Sequence, residues 1–421
     1  MRRLSRRELL GLGAAAGMVA ASGASADALP ERGGSLRLGL AGRPMGRFDG
    51  RRPFDPIMRV LGHGAAFDCL TEIAADGSLR GELATGWEAS PDARVWTFRL
   101  REDAAFHDGR PFGAEDVVAT LKLHRAAGWG LAQSIAQVRR TGPYEVQVVL
   151  RDGMPALPFL LADPQFIVLP AHAPETAMAE GIGTGLYRRE PGRTPSRAVL
   201  RRVDRHRRDG QAGWFDRVEV LALPDPAARF DALRSGRVDA VNLADPAWEE
   251  AVRRHGRIAL AEVRGQAYLE LAVEGCAGER AEAIAAAVAG RLDRAALLRD
   301  AFGGRGAVES ATAPRAWAHG AVAVVAAPER VPAAQVVARA VGAAARAAGL
   351  SVDEEAPVRI VARLRPGRPT EDWPMPEPGA RIVPLRPATL IAHATRLRHG
   401  PWIGTLWDMD SARIAERWWY S

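Results

Sequence analysis

Apolar and polar residues alternate with period two at several separated places along the chain. Ser35-Leu36-Arg37-Leu38-Gly39-Leu40 reads as a first strand, Val95-Trp96-Thr97-Phe98-Arg99-Leu100 alternates strictly as a half-buried strand does, and Tyr144–Leu150 repeats the pattern. Ala198–Val203 and Val218–Leu223 are further strands. Trp96, Phe98 and Leu100 share one strand face and are core by that placement. Between the strands the period lengthens. Ile57–Ile73 reads as a helix, and Glu115 and Asp116 place acidic groups in the first turn of another running to about Arg125, which favours its dipole. Pro226 opens a helix to about Ser235, closed by Gly236. Ala281–Phe302 and Ala333–Ala348 read as alanine-rich helices, the second closed by Gly349. Asp76-Gly77 and His107-Asp108-Gly109 are turns. Strands and helices are interspersed without strict alternation, so the pattern predicts a mixed α/β fold with several lobes.

Two segments break the pattern. Arg2, Arg3, Arg6 and Arg7 precede an apolar run, Leu9–Ala21, followed by Ala24-Ser25-Ala26. These are the three parts of a cleavable secretory signal, and the run is too short to anchor. Ser5-Arg6-Arg7-Glu8-Leu9-Leu10 further resembles a twin-arginine export signal; an ordinary signal with a chance arginine pair is the plainer alternative. Either way the mature chain is expected to begin near Asp27 and to work outside the cytoplasm. From Pro357 to Pro387 there are eight prolines, which leave room for a short strand at Val358–Leu364 and another near Ile382.

Composition narrows the function. A chain of 421 residues buries a large core and has room for two or three domains, and after the N-terminus no apolar run reaches membrane-spanning length. The formal charge is +7, but three of those charges lie in the first 26 residues. Lys122 is the single lysine, the arginines are scattered among Asp and Glu, and even the densest run, Arg201–Arg208, contains Asp204. That is a weak field for steering a polyanion, and no nucleic-acid partner is expected. Two cysteines, Cys69 and Cys276, exclude a disulfide scaffold and a Cys-rich metal site. A disulfide between them is allowed but not implied, and Cys69 lies in an apolar run that suits a buried thiol. No serine has a nucleophile-elbow context, and His393 and His399 stand six apart, which is not a clean ligand spacing. Gly183-Thr184-Gly185 lacks the strand and helix of a phosphate-cradling loop. No catalytic residue, protein-ligated metal or cofactor is expected. A cofactor-loaded exported enzyme is the weakest reading.

Longer blocks then appear in order. Gly33-Gly34-Ser35-Leu36-Arg37 is followed by Phe67-Asp68-Cys69-Leu70-Thr71-Glu72, Asp76-Gly77 and Glu82-Leu83-Ala84-Thr85-Gly86-Trp87-Glu88. Next come Trp96-Thr97-Phe98-Arg99-Leu100-Arg101, Phe106-His107-Asp108-Gly109 and Ala114-Glu115-Asp116-Val117-Val118. Gly183-Thr184-Gly185-Leu186-Tyr187, Leu223-Pro224-Asp225-Pro226, Gly236-Arg237-Val238-Asp239 and a tail from Trp407-Asp408 to Ala415-Glu416-Arg417-Trp418-Trp419-Tyr420 complete the set. Together they resemble the family 5 extracellular solute-binding proteins of ABC importers, the peptide, nickel and opine group, in a twin-arginine-exported branch. The resemblance is strong over about 34–250 and 381–421 and weak between them.

The resemblance implies a two-lobed periplasmic binding protein fold (α/β, type II, large-cluster type) with an extra subdomain in lobe I and a truncated lobe II. Lobe I would take 27–55, 180–268 and 388–421, its subdomain 56–179, and the shortened lobe II 269–387. It implies a monomeric periplasmic protein that captures a peptide or similar small organic solute by lobe closure and delivers it to a permease and ATPase complex. The asparagine usual in the crossover strand is missing from Tyr268–Val273, and no position matches the aspartate that holds the amino terminus in peptide binders. The alternative is therefore a diverged extracytoplasmic interaction protein that has lost its pocket.

Candidate ligand residues come from three places. In the loop after the first strand, Arg43 and Arg47 would hold a carboxylate while Met45 and Phe48 line an apolar wall, against a solvated loop with snorkelling arginines. Trp402 and Trp407 would supply aromatic walls near the tail, against core packing. Trp373, with Asp372, is the substitute for the missing anchor, against a loop tryptophan that covers the shortened lobe.

Overall fold

The computed structural model describes residues 30–42, 55–127, 130–194, 196–263, 268–308, 320–326, 333–365, 381–401 and 408–421, with Ala318, Val331 and Ile403. Backbone hydrogen bonds gather the chain into three principal sheets.

The first sheet has seven strands in the spatial order Ile258–Val263, Thr389–Ala394, Ala240–Val241, Ser35–Leu40, Arg217–Ala222, Arg197–Arg202, Tyr187–Thr194. Ser35–Leu40 runs parallel to both neighbours, with Leu38 opposite Val220 on one side and Ala240 on the other. The remaining pairs are antiparallel. Period two does the sorting: Leu36, Leu38 and Leu40 are buried in the core, while Arg37 points to the other face and meets Asp239 at 2.9 Å.

The second sheet has six strands, Gly306–Val308, Arg381–Pro387, Tyr268–Glu274, Arg359–Arg365, Ala321–Ala326 and Ser351–Val352. Helices Gly278–Ala289, Arg294–Phe302 and Ala334–Ala347 bury their apolar positions, among them Ile284, Leu297 and Val341, in one core with Leu269, Leu271 and Ile360 of the sheet. The third sheet is antiparallel, in the order Ala84–Ala89, Val95–Leu100, Glu145–Leu150, Ile135–Gly142. Trp96, Phe98 and Leu100 are buried there, beneath Val117 and Leu121 of helix Ala114–Ala126. This third core draws on residues between Leu70 and Val168; Ile57–Cys69 and Ile167–Met178 contribute instead to the core of the first sheet.

The chain crosses between the first two sheets twice. It leaves the first after Val263 and enters the second at Tyr268, and it returns from Pro387 to Thr389.

Two local expectations need correction. The helix over Ile57–Ile73 is only Pro56–Leu61, capped by Asp55, whose carboxylate accepts from the Ile57 and Met58 amides. A π-helical turn follows at Gly62–Ala66, and the chain is extended from Phe67 into strand Thr71–Ile73. Gly62 and Gly64 weaken the helix, and extension lets Asp68 and Glu72 reach buried cations described below. The helix over Ala281–Phe302 is two, Gly278–Ala289 and Arg294–Phe302. Gly290 ends the first, and Asp293 caps the second by accepting from the Ala296 amide at 2.9 Å. In the proline-rich stretch, the expected strands are Arg359–Arg365 and Arg381–Pro387, and the second runs through Pro384. There Leu269 pairs Leu385 while Leu271 pairs Ile382, a bulge that takes Pro384 out of the regular register with Tyr268–Glu274. Cys69 is buried, Cys276 is half-buried, and both are free thiols.

Candidate functional site

The carboxyl ends of the two parallel strands Ser35–Leu40 and Ala240–Val241 come together beside the inter-sheet crossings. The Ala41 amide donates to Asn242 Oδ1 at 2.7 Å. Asn242 is fully buried, and its Nδ2 has no hydrogen-bond partner among the described residues. Leu243 then takes a left-handed conformation with φ of 46°. Nothing in the hydrophobic pattern marks Asn242, but it is the chain's only asparagine. In an Arg- and Ala-biased sequence that singularity is the signal by which it could have been found.

Gly42 and Asp55 also meet here. A Cβ on Gly42 would lie 2.6 Å from Ile57 Cδ1 and 3.3 Å from Asp55 Oδ1, so the segment between them leaves and rejoins the fold at one point. Crevices at the carboxyl ends of parallel strands are where open α/β sheets bind ligands. Arg43, Met45, Arg47 and Phe48, together with Trp373, Trp402 and Trp407, lie outside the described residues. Their flanks are described. Ile403 packs on the first core, and Arg359–Arg365 and Arg381–Pro387, on either side of Trp373, both belong to the second sheet.

The sequence blocks themselves converge elsewhere, on a buried charge cluster. Asp68 accepts from the Thr184 hydroxyl at 2.7 Å and from Arg207 at 2.9 Å. Arg413, 1% exposed, lies 2.7 Å from Glu82 and 2.8 Å from Glu416, and Glu416 also accepts from Arg208 at 3.1 Å. Arg417 donates to Glu72 at 2.7 Å and to Asp410 at 3.0 Å. Of the densest arginine run, Arg202 pairs with Asp209 and Arg207 and Arg208 are spent on the cluster, while Arg201, paired to Glu190, and Arg205 are exposed.

The glycines of Gly183-Thr184-Gly185 are explained by the same packing. A Cβ on Gly183 would sit 2.1 Å from the Ala66 carbonyl oxygen and one on Gly185 2.2 Å from that of Ala65, so both must be glycine against the π-helical turn. His107 holds the loop by donating from Nε2 to the Gly185 carbonyl at 2.8 Å and accepting at Nδ1 from the Gly183 amide at 3.3 Å, a structural role. Asp239 of the Gly-x-Val-Asp block accepts from Arg37 and from Arg396 at 2.7 Å and ties the first strand to the turn after Thr389–Ala394. His393 meets Trp418 edge-on and His399 lies tilted against it, and no group of three metal-ligating side chains occurs among the described residues.

Burial and charge pull the carboxyls apart. Burial alone would raise Asp68 and Glu72, but Arg207 beside Asp68, and Arg413, Arg208 and Arg417 around Glu72, hold both well below the usual range. At Glu82 burial outweighs Arg413 and pushes the carboxyl up to about 8; at Asp163 burial pushes it up to about 6. The signs are opposite. Depressed groups stabilise the fold above their unfolded range near pH 4, and that stability is lost as pH falls through their folded values. Raised groups stabilise it at low pH and lose that contribution as pH climbs through 6 to 8. Thermal midpoints should therefore fall on both sides of a mildly acidic optimum. Glu82→Gln, which mimics the neutral acid, should flatten the decline between about pH 5 and 8. An identical alkaline decline in wild type and variant would refute this assignment.

The two sheets with separate cores, joined by paired crossings, define a two-lobed binding-protein fold. The family model for bacterial extracellular solute-binding proteins, family 5 Middle, matches residues 78–334, and the chain belongs to that family. It is similar to the nickel-binding periplasmic protein of Escherichia coli (strain K12), 27% identical over 194 residues that make up 43% of this chain and 36% of that protein. The chain thus aligns with well under half the length of that relative. Among solved structures it resembles AgaA in complex with agropinic acid from A. tumefacien R10, with a TM-score of 0.78, 17% identity and coverage of 92% of this chain and 99% of that one. It also resembles the periplasmic binding protein DppA from Helicobacter pylori in complex with the peptide STSA, with a TM-score of 0.74, 12% identity and coverage of 92% and 98%. Both structures are two-lobed, mixed α/β binding proteins, as expected from the sequence blocks.

Proposed function

We propose that the chain is the periplasmic solute-binding component of an ABC importer. It captures a peptide or similar small organic solute between its two lobes and delivers it, without chemical change, to a permease and ATPase complex. The observation that carries this is the pair of adjacent crossings, Val263 to Tyr268 and Pro387 to Thr389, which leave two separately cored sheets free to hinge. The family match supports it, as do similar folds solved with agropinic acid and with a peptide. Ligand contacts made from both lobes would stabilise the closed form, the state the membrane partner reads. Export would use the signal in residues 1–26, by the twin-arginine route, and the mature protein would act as a monomer. Among the described residues no helix is long and apolar enough to cross a membrane. In this reading Asn242 lies at the base of the pocket, Arg43, Met45, Arg47, Phe48, Trp402 and Trp407 line lobe I, and Trp373 closes from the shortened lobe II.

The test is a thermal-shift panel of residues 27–421 against short peptides, opines including agropinic acid, and nickel chelates. A ligand at a hundred times its Kd stabilises by about 2.7 kcal/mol. For a chain this long that is a shift of about 3 °C. One class should produce it and should also shrink the radius of gyration in solution scattering. A flat panel from folded protein would favour the diverged interaction protein instead.

A further inference from the structure

We propose that Arg305 is an electrostatic strap across the hinge, a third and non-covalent tie between the lobes that sets how freely they open. Arg305 belongs to the second lobe, just past helix Arg294–Phe302, and leads into edge strand Gly306–Val308. Its carbonyl accepts from the Ala388 amide at 3.2 Å, at the point where the chain passes back from the second sheet to the first. Its guanidinium reaches across to the first lobe. Nη2 donates to Glu249 Oε2 at 2.8 Å, and Nε lies 3.5 Å from Glu262 Oε2. Glu249 begins helix Glu249–His255, and Glu262 lies on Ile258–Val263, the edge strand that feeds the other crossing. Gly303 supports the contact: a Cβ there would meet Pro246 at 3.3 Å and Arg305 Nη1 as well.

One residue thus bonds the return crossing through its backbone and the outgoing strand through its side chain. The Arg305 side chain is 22% exposed and Glu249 and Glu262 are 39% and 30% exposed, so salt reaches the contact and screens it. Arg253, 3.7 Å from Glu249 on the same helix, competes for that carboxylate but stays within lobe I. A tie so close to the pivot loses little length as the lobes rotate. It therefore acts as a stiffness that ionic strength tunes.

The strap rests on the reading that the lobes move, and the experiment separates the two. In a Cys276→Ser background, spin labels are placed at Arg234→Cys on lobe I and Ala283→Cys on lobe II, both exposed, while Cys69 stays buried. The inter-label distance distribution is recorded without ligand at 20 mM and 500 mM salt. Wild type should give a narrow distribution at low salt that broadens at high salt. Arg305→Gln should be broad at both, with the ratio of minor to major conformer changed about fivefold, the size of one good exposed ion pair. Glu249→Gln with Glu262→Gln should reproduce this, and adding Arg305→Gln to that pair should change nothing further. An Arg305→Gln distribution that superimposes on wild type, or a salt response retained in the variant, overturns the strap. A wild-type distance that stays fixed with every hit of the thermal panel overturns lobe closure instead, whatever Arg305 does.

Discussion

Arg413→Met should cost about 3–5 kcal/mol, because it removes the cation at the centre of the buried cluster and leaves carboxylates with no water to turn to. Glu82, at 2.7 Å, and Glu416, at 2.8 Å, are both about 1% exposed, and Glu72 lies 3.9 Å away. A buried pair broken on one side costs far more than a pair removed whole, since the orphaned charge keeps its full desolvation penalty. The control follows from that asymmetry. Arg413→Met combined with Glu82→Gln and Glu416→Gln should recover much of the loss, because the stray Glu416 charge becomes a neutral amide while Glu82, already held neutral by burial at pH 7, keeps an uncharged form. Urea unfolding read by tryptophan fluorescence at pH 7 measures both. A single-variant loss below 1 kcal/mol, or a triple variant no better than the single, would show that the cluster is not held by Arg413.

Trp418→Ala should cost a similar amount, about 3–5 kcal/mol, by a different mechanism. The ring is fully buried in the core of the first sheet, its Nε1–H donates to Asp410 at 3.0 Å, and His393 and His399 pack against it with centroids at 5.2 and 4.7 Å. Truncation opens a cavity that fixed backbone on all sides cannot collapse. Trp418→Phe restores most of the apolar volume but not the donor, so about 1–2 kcal/mol should remain. Equal losses for Ala and Phe would assign the effect to the hydrogen bond; a loss near zero for Ala would mean that the tail does not pack as described.

How legible the fold was follows from where each signal lives. Strands such as Ser35–Leu40 and Val95–Leu100 were readable because one face is buried and one is not, which prints period two on the chain. The helix proposed over Ile57–Ile73 failed because its apolar run continues into an extended segment whose Asp68 and Glu72 are claimed by arginines more than a hundred residues away. No local pattern carries that information. Ala281–Phe302 failed for the opposite reason: Gly290 and Asp293 were visible as a stop and a cap but were outvoted by alanine content. The chosen ligand residues fall outside the described segments, and Asn242 escaped notice because a single polar residue after a two-residue strand has no periodicity to join. The blocks were the strongest signal, and they encode the charge cluster and its glycine loop, which is why they identify the family and say little of the solute.

The span of that cluster also constrains how the molecule is born. Glu72 and the arginine that holds it are 345 residues apart, and Tyr420 bonds the carbonyl of Ser35 across 385. A chain still on the ribosome therefore carries Glu72 and Glu82 without Arg413 and Arg417 through most of its synthesis, and contacts this distant close slowly. A polypeptide halted before Arg413 has Glu72 and Glu82 without the cation that joins them and a first strand that lacks its Tyr420 bond. Such a product should stay open to proteases, so completion of the tail doubles as a checkpoint on finished chains.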